Sequence, residues 1–166
     1  MTLPSNTPTK KHRFNASRLH LPGQAAFFIF ESNKTYAVAT QLLTRVVDSI
    51  TELNADDAGC IAVSGSHGGL SSARYALAAR PLLSVFNDAG GGLDNAGVAA
   101  LDFLQSHGLA ACTIAHSSAR IGESQSTLAT GTITGLNAQA VALGIQAGWR
   151  CQQAVDLLLT PYKGKI

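Results

Sequence analysis

Cys60-Ile61-Ala62-Val63-Ser64-Gly65-Ser66-His67-Gly68-Gly69 is an apolar run that breaks abruptly into small and reactive residues, and the pattern recurs downstream. Leu82-Leu83-Ser84-Val85-Phe86 leads into Asn87-Asp88-Ala89-Gly90-Gly91-Gly92, and Cys112-Thr113-Ile114-Ala115 leads into His116-Ser117-Ser118-Ala119-Arg120. Apolar runs this short, bounded by glycine, serine and asparagine, read as buried strands. Helical patterns separate them, which predicts parallel neighbours whose carboxyl ends share one edge, the place where open α/β sheets gather their ligands. The expected fold is one three-layer α/β domain with a mostly parallel, doubly wound sheet, Rossmann-like or flavodoxin-like.

Outward from these strands the punctuation is consistent. Ser71 or Ser72 can cap a helix running to Ala79, which Pro81 stops. Asp94 is a cap for a helix from Asn95 to His107, ended by Gly108. A turn of helix over Ser124 to Ala129 precedes a fourth strand or extended segment, Thr130 to Leu136. Helices follow over Asn137 to Leu143 and Arg150 to Leu159. Upstream, Asn54 to Gly59 is a turn, and Tyr36 to Leu53 carries apolar residues at helical spacing, although Val46, Val47 and Ile50 also allow an edge strand over Arg45 to Thr51. Ala25 to Phe30 reads as a short strand or buried entry segment. Residues 1–24 are expected to be an irregular arm, leaving residues 25–166 as the single catalytic domain.

Composition narrows the function classes. The chain has 166 residues, enough for one well-buried core. Charged residues are only 13%, against 46% hydrophobic, so part of the surface is expected to be covered in a homo-oligomer. A net charge of +2 without a basic stripe argues against nucleic acid. The apolar stretches fall short of the roughly 20 residues a bilayer crossing needs, so a soluble protein without membrane contact is expected. Cys60, Cys112 and Cys151 are odd in number and lack paired spacing, which suits a reducing cytoplasm. Lys10, Lys11, Arg13 and Arg18 precede the first acid, but no apolar secretory segment accompanies them.

The strand ends carry the chemistry. Ser64-Gly65-Ser66-His67-Gly68 is a degenerate form of the G-x-S-x-G elbow, placing Ser66 as a nucleophile or as a loop-satisfying hydroxyl. His67 and His116 end different strands and are candidate acids or bases. Asp88 ends the strand between them and needs a partner, most simply one of these histidines. Asn87 can brace a loop, and Arg120 can bind a carboxylate bidentately or pair with Glu123. Ser64, Gly68, Gly69, Gly90, Gly91 and Ser117 are expected to line the same crevice, the glycines through free amides.

Several constellations follow from these groups. In a serine hydrolase Ser66 attacks, His116 takes its proton, Asp88 orients the imidazole and the Gly68-Gly69 amides hold the oxyanion. In an acid–base isomerase or lyase the histidines and Asp88 move protons while Arg120 holds an anionic substrate. In a metal site His67, Asp88 and His116 would be three ligands with an open fourth position. A non-catalytic ligand-binding or accessory subunit could use the same loops. The leading expectation is a hydrolase of amide- or ester-like bonds in a small polar or carboxylate-bearing substrate, with no cofactor and no resident metal.

A strand ending in Ser66-His67-Gly68 followed by one ending in Asp88-Ala89-Gly90 resembles the caspase-type peptidase layout, whose strands end in His-Gly and Ala-Cys. Gly90 stands where that layout has its nucleophilic cysteine, and Cys60 and Cys112 lie within strands. The resemblance therefore implies no peptidase chemistry here.

Overall fold

A computed structural model describes residues 16–21, 24–31, 34–39 and 42–160. The chain divides into two units, Met1–Thr40 and Gln41–Ile166. The first contains an antiparallel meander of β1 (Ala16–Leu21), β2 (Gln24–Glu31) and β3 (Lys34–Ala39). Leu21 pairs with Gln24 and Glu31 with Lys34 at the ends of the two ladders. Of the two readings of Ala25 to Phe30, short strand or buried entry segment, the strand is found, within β2. Of the arm expected over residues 1–24, residues 1–15, 22 and 23 lie outside the described residues, Ala16–Leu21 is a strand and Gln24 begins the next.

The second unit holds one five-stranded sheet in the order β4 (Thr44–Val47), β5 (Ile61–His67), β6 (Leu83–Asn87), β7 (Ala110–Ile114) and β8 (Ile133–Leu136). The first four strands are parallel and β8 runs antiparallel to β7. This overturns the helix expected over Tyr36 to Leu53, which is replaced by β3 and β4. Val46 pairs with Val63 and Val47 with Ser64, so the β-branched residues are used on a parallel sheet edge, where tertiary pairing outweighs helical spacing.

Alternation along the strands builds two cores. Ile61, Val63, Val85, Cys112 and Ile114 face one layer with Ala154 and Val155; Ala62, Phe86 and Ala111 face the other with Ala73, Ala76 and Leu104. The strand order follows the chain, and the crossovers carry α1 (Leu70–Ala79) and α2 (Ala100–Ser106) to the same face, as crossovers of one hand would. The opposite face is covered by chain that follows β7: α3 (Ser124–Thr130), α4 (Ala138–Ala142) and α5 (Cys151–Leu159). The result is the expected three-layer α/β architecture with a mostly parallel sheet.

Helix α2 starts later than its sequence suggests. Asp94 and Asn95 have φ of 52° and 59°, left-handed values that exclude them from a regular helix, and the segment Leu93–Val98 is a kinked 3₁₀ turn instead. Helix α1 likewise begins at Leu70 behind Gly69, so Ser71 and Ser72 lie within its first turn rather than capping it.

Candidate functional site

Strand β6 ends in Asn87 and hands the chain to Asp88, whose backbone amide donates to the Ile114 carbonyl at the end of β7 at 2.8 Å. This bond brings the start of the next loop, His116, beside the Asp88 carboxylate. Asp88 Oδ1 lies 3.0 Å from His116 Nδ1 and accepts the His116 amide at 2.9 Å and the Gly90 amide at 2.8 Å. Its second oxygen, Oδ2, accepts from Thr134 Oγ1 at 3.3 Å. Burial raises the carboxyl pKa, but the amides of Gly90 and His116 and the imidazole outweigh it, and the net shift is downward. An ionised Asp88 requires Nδ1 to carry a proton, so in the neutral ring the lone pair sits on Nε2. The His116 side chain is 60% exposed, leaving that nitrogen open to a reactant.

The ring packs over Gly90. A Cβ there would sit 3.5 Å from the imidazole, and φ of +68° places Gly90 in the region where glycine is favoured. Ala89 also has a positive φ, 50°, a strained value for alanine, held by the hydrogen bond its backbone N–H donates to Asn87 Oδ1 at 2.8 Å. The fully buried Asn87 donates from Nδ2 to the Ala119 carbonyl at 3.1 Å, so one amide side chain joins the β6 loop to the β7 loop. Between those loops lies a cavity of about 330 Å³ lined by Asn87, Ala89, His116, Ala119, Arg120 and Ile121.

The far wall is clamped from the other side. Asp48, just beyond β4, accepts from the Ser124 amide at 2.9 Å and its hydroxyl at 2.7 Å, bonds that lower its pKa against a smaller opposing effect of burial. The Gly122 amide donates to the Gly65 carbonyl at 2.7 Å, and a Cβ on Gly65 would collide with the backbone of Gly122 and Glu123. The segment from Ala119 to Glu123 is thus held against three strand ends, with Arg120 and Ile121 left exposed. Among the described residues the Arg120 guanidinium makes a loose 3.6 Å pair with Glu123.

The other expected members are placed elsewhere. Ser66 Oγ accepts the Ile50 amide at 3.0 Å, on the 3₁₀ turn after β4, and no bond joins it to His116 among the described residues. His67 is exposed, and its Nδ1 accepts the Gly69 amide at 3.1 Å instead of meeting Asp88. Ser64 is buried and donates to the Val85 carbonyl at 2.9 Å, which makes it a sheet brace. Ser117 is exposed beside His116. Gly68 and Gly69 do not offer free amides, because Gly68 donates to the Asn87 carbonyl and Gly69 to the His67 ring. Gly90 and Gly91 both donate back to Asp88. The serine triad, its Gly68-Gly69 oxyanion cradle and the His67-Asp88-His116 ligand set are therefore not assembled; among the described residues no group of three or more His, Cys, Asp or Glu is placed to hold a metal ion.

Sequence reading missed Asp48, Ser124 and Thr134. Asp48 ends a strand as Asp88 does, a signal hidden by the helical reading of its segment. Thr134 falls in the alternating stretch before Leu136, but only the antiparallel pairing of β7 with β8 brings it to Asp88.

No helix among the described residues is long and apolar enough to cross a membrane. Comparison with known protein families, curated proteins and solved structures finds no match to this chain. The fold and the site define a three-layer α/β protein with an Asp–His pair at its strand tips.

Proposed function

We propose that this protein is an enzyme in which His116, oriented by Asp88, transfers protons to and from a small carboxylate-bearing substrate held by Arg120. The Asp88–His116 contact carries the reading. An ionised carboxylate on Nδ1 fixes the imidazole tautomer and stabilises the imidazolium formed when Nε2 accepts a proton. Arg120, on the adjoining wall, supplies a cation for the substrate acid group and for negative charge that develops as the proton leaves. The chemistry this supports is isomerisation or elimination at a carbon next to a carbonyl. Hydrolysis of an amide or ester led by Ser66 has less support, because its hydroxyl is bonded to Ile50 and the expected oxyanion amides are engaged. The sparse charge supports a homo-oligomer, and the unpaired cysteines support a cytoplasmic setting.

The test is exchange of the C3 protons of 2-oxobutanoate into deuterated water, followed by proton NMR. The wild-type protein should accelerate exchange, Ser66→Ala should retain it, and His116→Ala should lose roughly a hundredfold or more. Loss in Ser66→Ala as deep as in His116→Ala would overturn the assignment of proton transfer to His116 without Ser66. Binding without exchange would make the protein a ligand-binding module.

A further inference from the structure

The polar and apolar groups around the cavity are few, and their hydrogen bonds discriminate among ligand classes. Asn87 is engaged at both ends of its amide, to Ala119 and from Ala89. The polar side-chain groups left to a ligand among the lining residues are His116 and the Arg120 guanidinium. The remaining lining side chains are the methyl groups of Ala89 and Ala119 and the aliphatic chain of Ile121, which is 54% exposed. A volume of about 330 Å³ is at the small end of ligand sites.

We infer that the cavity takes a short aliphatic carboxylate, its acid group on Arg120 and its chain against Ala89, Ala119 and Ile121, in preference to a phosphorylated or polyhydroxylated molecule. The inference rests on the proton-transfer reading of His116, whose Nε2 would then meet a carbon near the acid group. A phosphate ester brings three acceptor oxygens and up to two charges, and protein loops normally answer it with several free glycine amides. Here Gly68, Gly69, Gly90 and Gly91 have already donated to protein acceptors. One guanidinium is enough for a carboxylate, which it meets with two parallel hydrogen bonds. A sugar or polyol would lay hydroxyls on methyl groups that cannot bond them, a mismatch that costs affinity.

The probes are butanoate and butyl phosphate, which share a chain and differ in the acid group. They are titrated into the ¹⁵N-labelled full chain and followed by backbone amide shifts. Butanoate should move the amides of Ala89, Ala119 and Ile121 and bind about tenfold or more tightly than butyl phosphate. Arg120→Gln should weaken butanoate about tenfold, and Ile121→Asp should weaken it at least as much, whereas Ile121→Leu should keep it. Equal or tighter binding of butyl phosphate at those amides, an absence of butanoate shifts there, or indifference to Arg120→Gln and Ile121→Asp would each overturn the ligand class. The two readings fail separately. Butanoate bound as expected without any proton exchange rejects the enzyme and keeps the ligand; His116-dependent exchange with phosphate preferred keeps the enzyme and rejects the ligand.

Discussion

Asp88 Oδ1 accepts both the imidazole and the backbone amide of His116, at 3.0 and 2.9 Å, so the carboxylate fixes the ring's orientation and the path of the chain that carries it. The pairing follows from adjacent parallel strands ending at the same level, with Asn87 of β6 beside Ile114 of β7.

Replacing Asp88 by Asn should therefore cut catalysis without emptying the cavity. The amides of Gly90 and His116 would hold the asparagine carbonyl oxygen where Oδ1 sits, so Nδ1 keeps an acceptor, but the imidazolium loses its countercharge. The expected result is a fall in the exchange rate of about 10²- to 10⁴-fold with butanoate affinity little changed. Thr134→Val, which removes the bond to Oδ2, should give a smaller loss.

Acid should weaken the fold through the same carboxylate. The folded pKa of Asp88 lies below its unfolded value, so its stabilisation is fully present above the ordinary carboxylate range and is lost as pH falls through the depressed folded value. Asp48 shifts in the same direction. Urea unfolding measured stepwise from neutral pH to about pH 3 should show a stability loss that is smaller in Asp88→Asn than in the wild type.

Asp48→Ala should loosen the wall that carries Arg120 and Ile121. Its two bonds to Ser124 tie the start of α3 to the end of β4, and nothing on alanine replaces them. Hydrogen exchange of the amides from Gly122 to Ser124 should quicken, and butanoate should bind more weakly, while the exchange rate at saturating 2-oxobutanoate stays near that of the wild type.

The core makes a sharper demand. Phe86 is fully buried against Ala62, Ala76 and Leu104 in the layer beneath the site. Phe86→Ala should cost about 3–5 kcal/mol in denaturant unfolding. A loss under about 1 kcal/mol would mean the two layers repack freely, contrary to the density expected of such a core.

The three thiols should be silent in the native protein. Burial pushes Cys60 up to about 11 and Cys151 up to about 12, and burial raises Cys112 as well, so thiolate is scarce at pH 8. An aromatic disulfide reagent should titrate none of them quickly until denaturant is added, then all three.

How far the sequence can be read depends on what each signal is made of. The runs Cys60 to Val63, Leu82 to Phe86 and Ala111 to Ala115 are legible as strands because burial on both faces demands continuous apolar residues, and their glycine- and serine-rich ends mark the carboxyl edge. Val46 and Val47 were ambiguous, since a short run at a helical interval can also pair as a strand, and only β5 beside it decides. Asp94 has the chemistry of a helix cap, but the three preceding glycines carry the chain into left-handed turns that delay the helix to Ala100.

The sequence by itself determined that imidazole, carboxylate and guanidinium groups gather at one edge of a parallel sheet, because strand periodicity and turn residues are local properties. Which of them touch was decided only by the tertiary structure. Asp88 meets His116 because of a bond to Ile114 on the neighbouring strand; Ser66 turns to Ile50, His67 to its own loop, and Thr134 arrives on a strand running the other way. A hydrogen bond depends on fractions of an ångström and on which face a side chain takes, and strand pairing sets both.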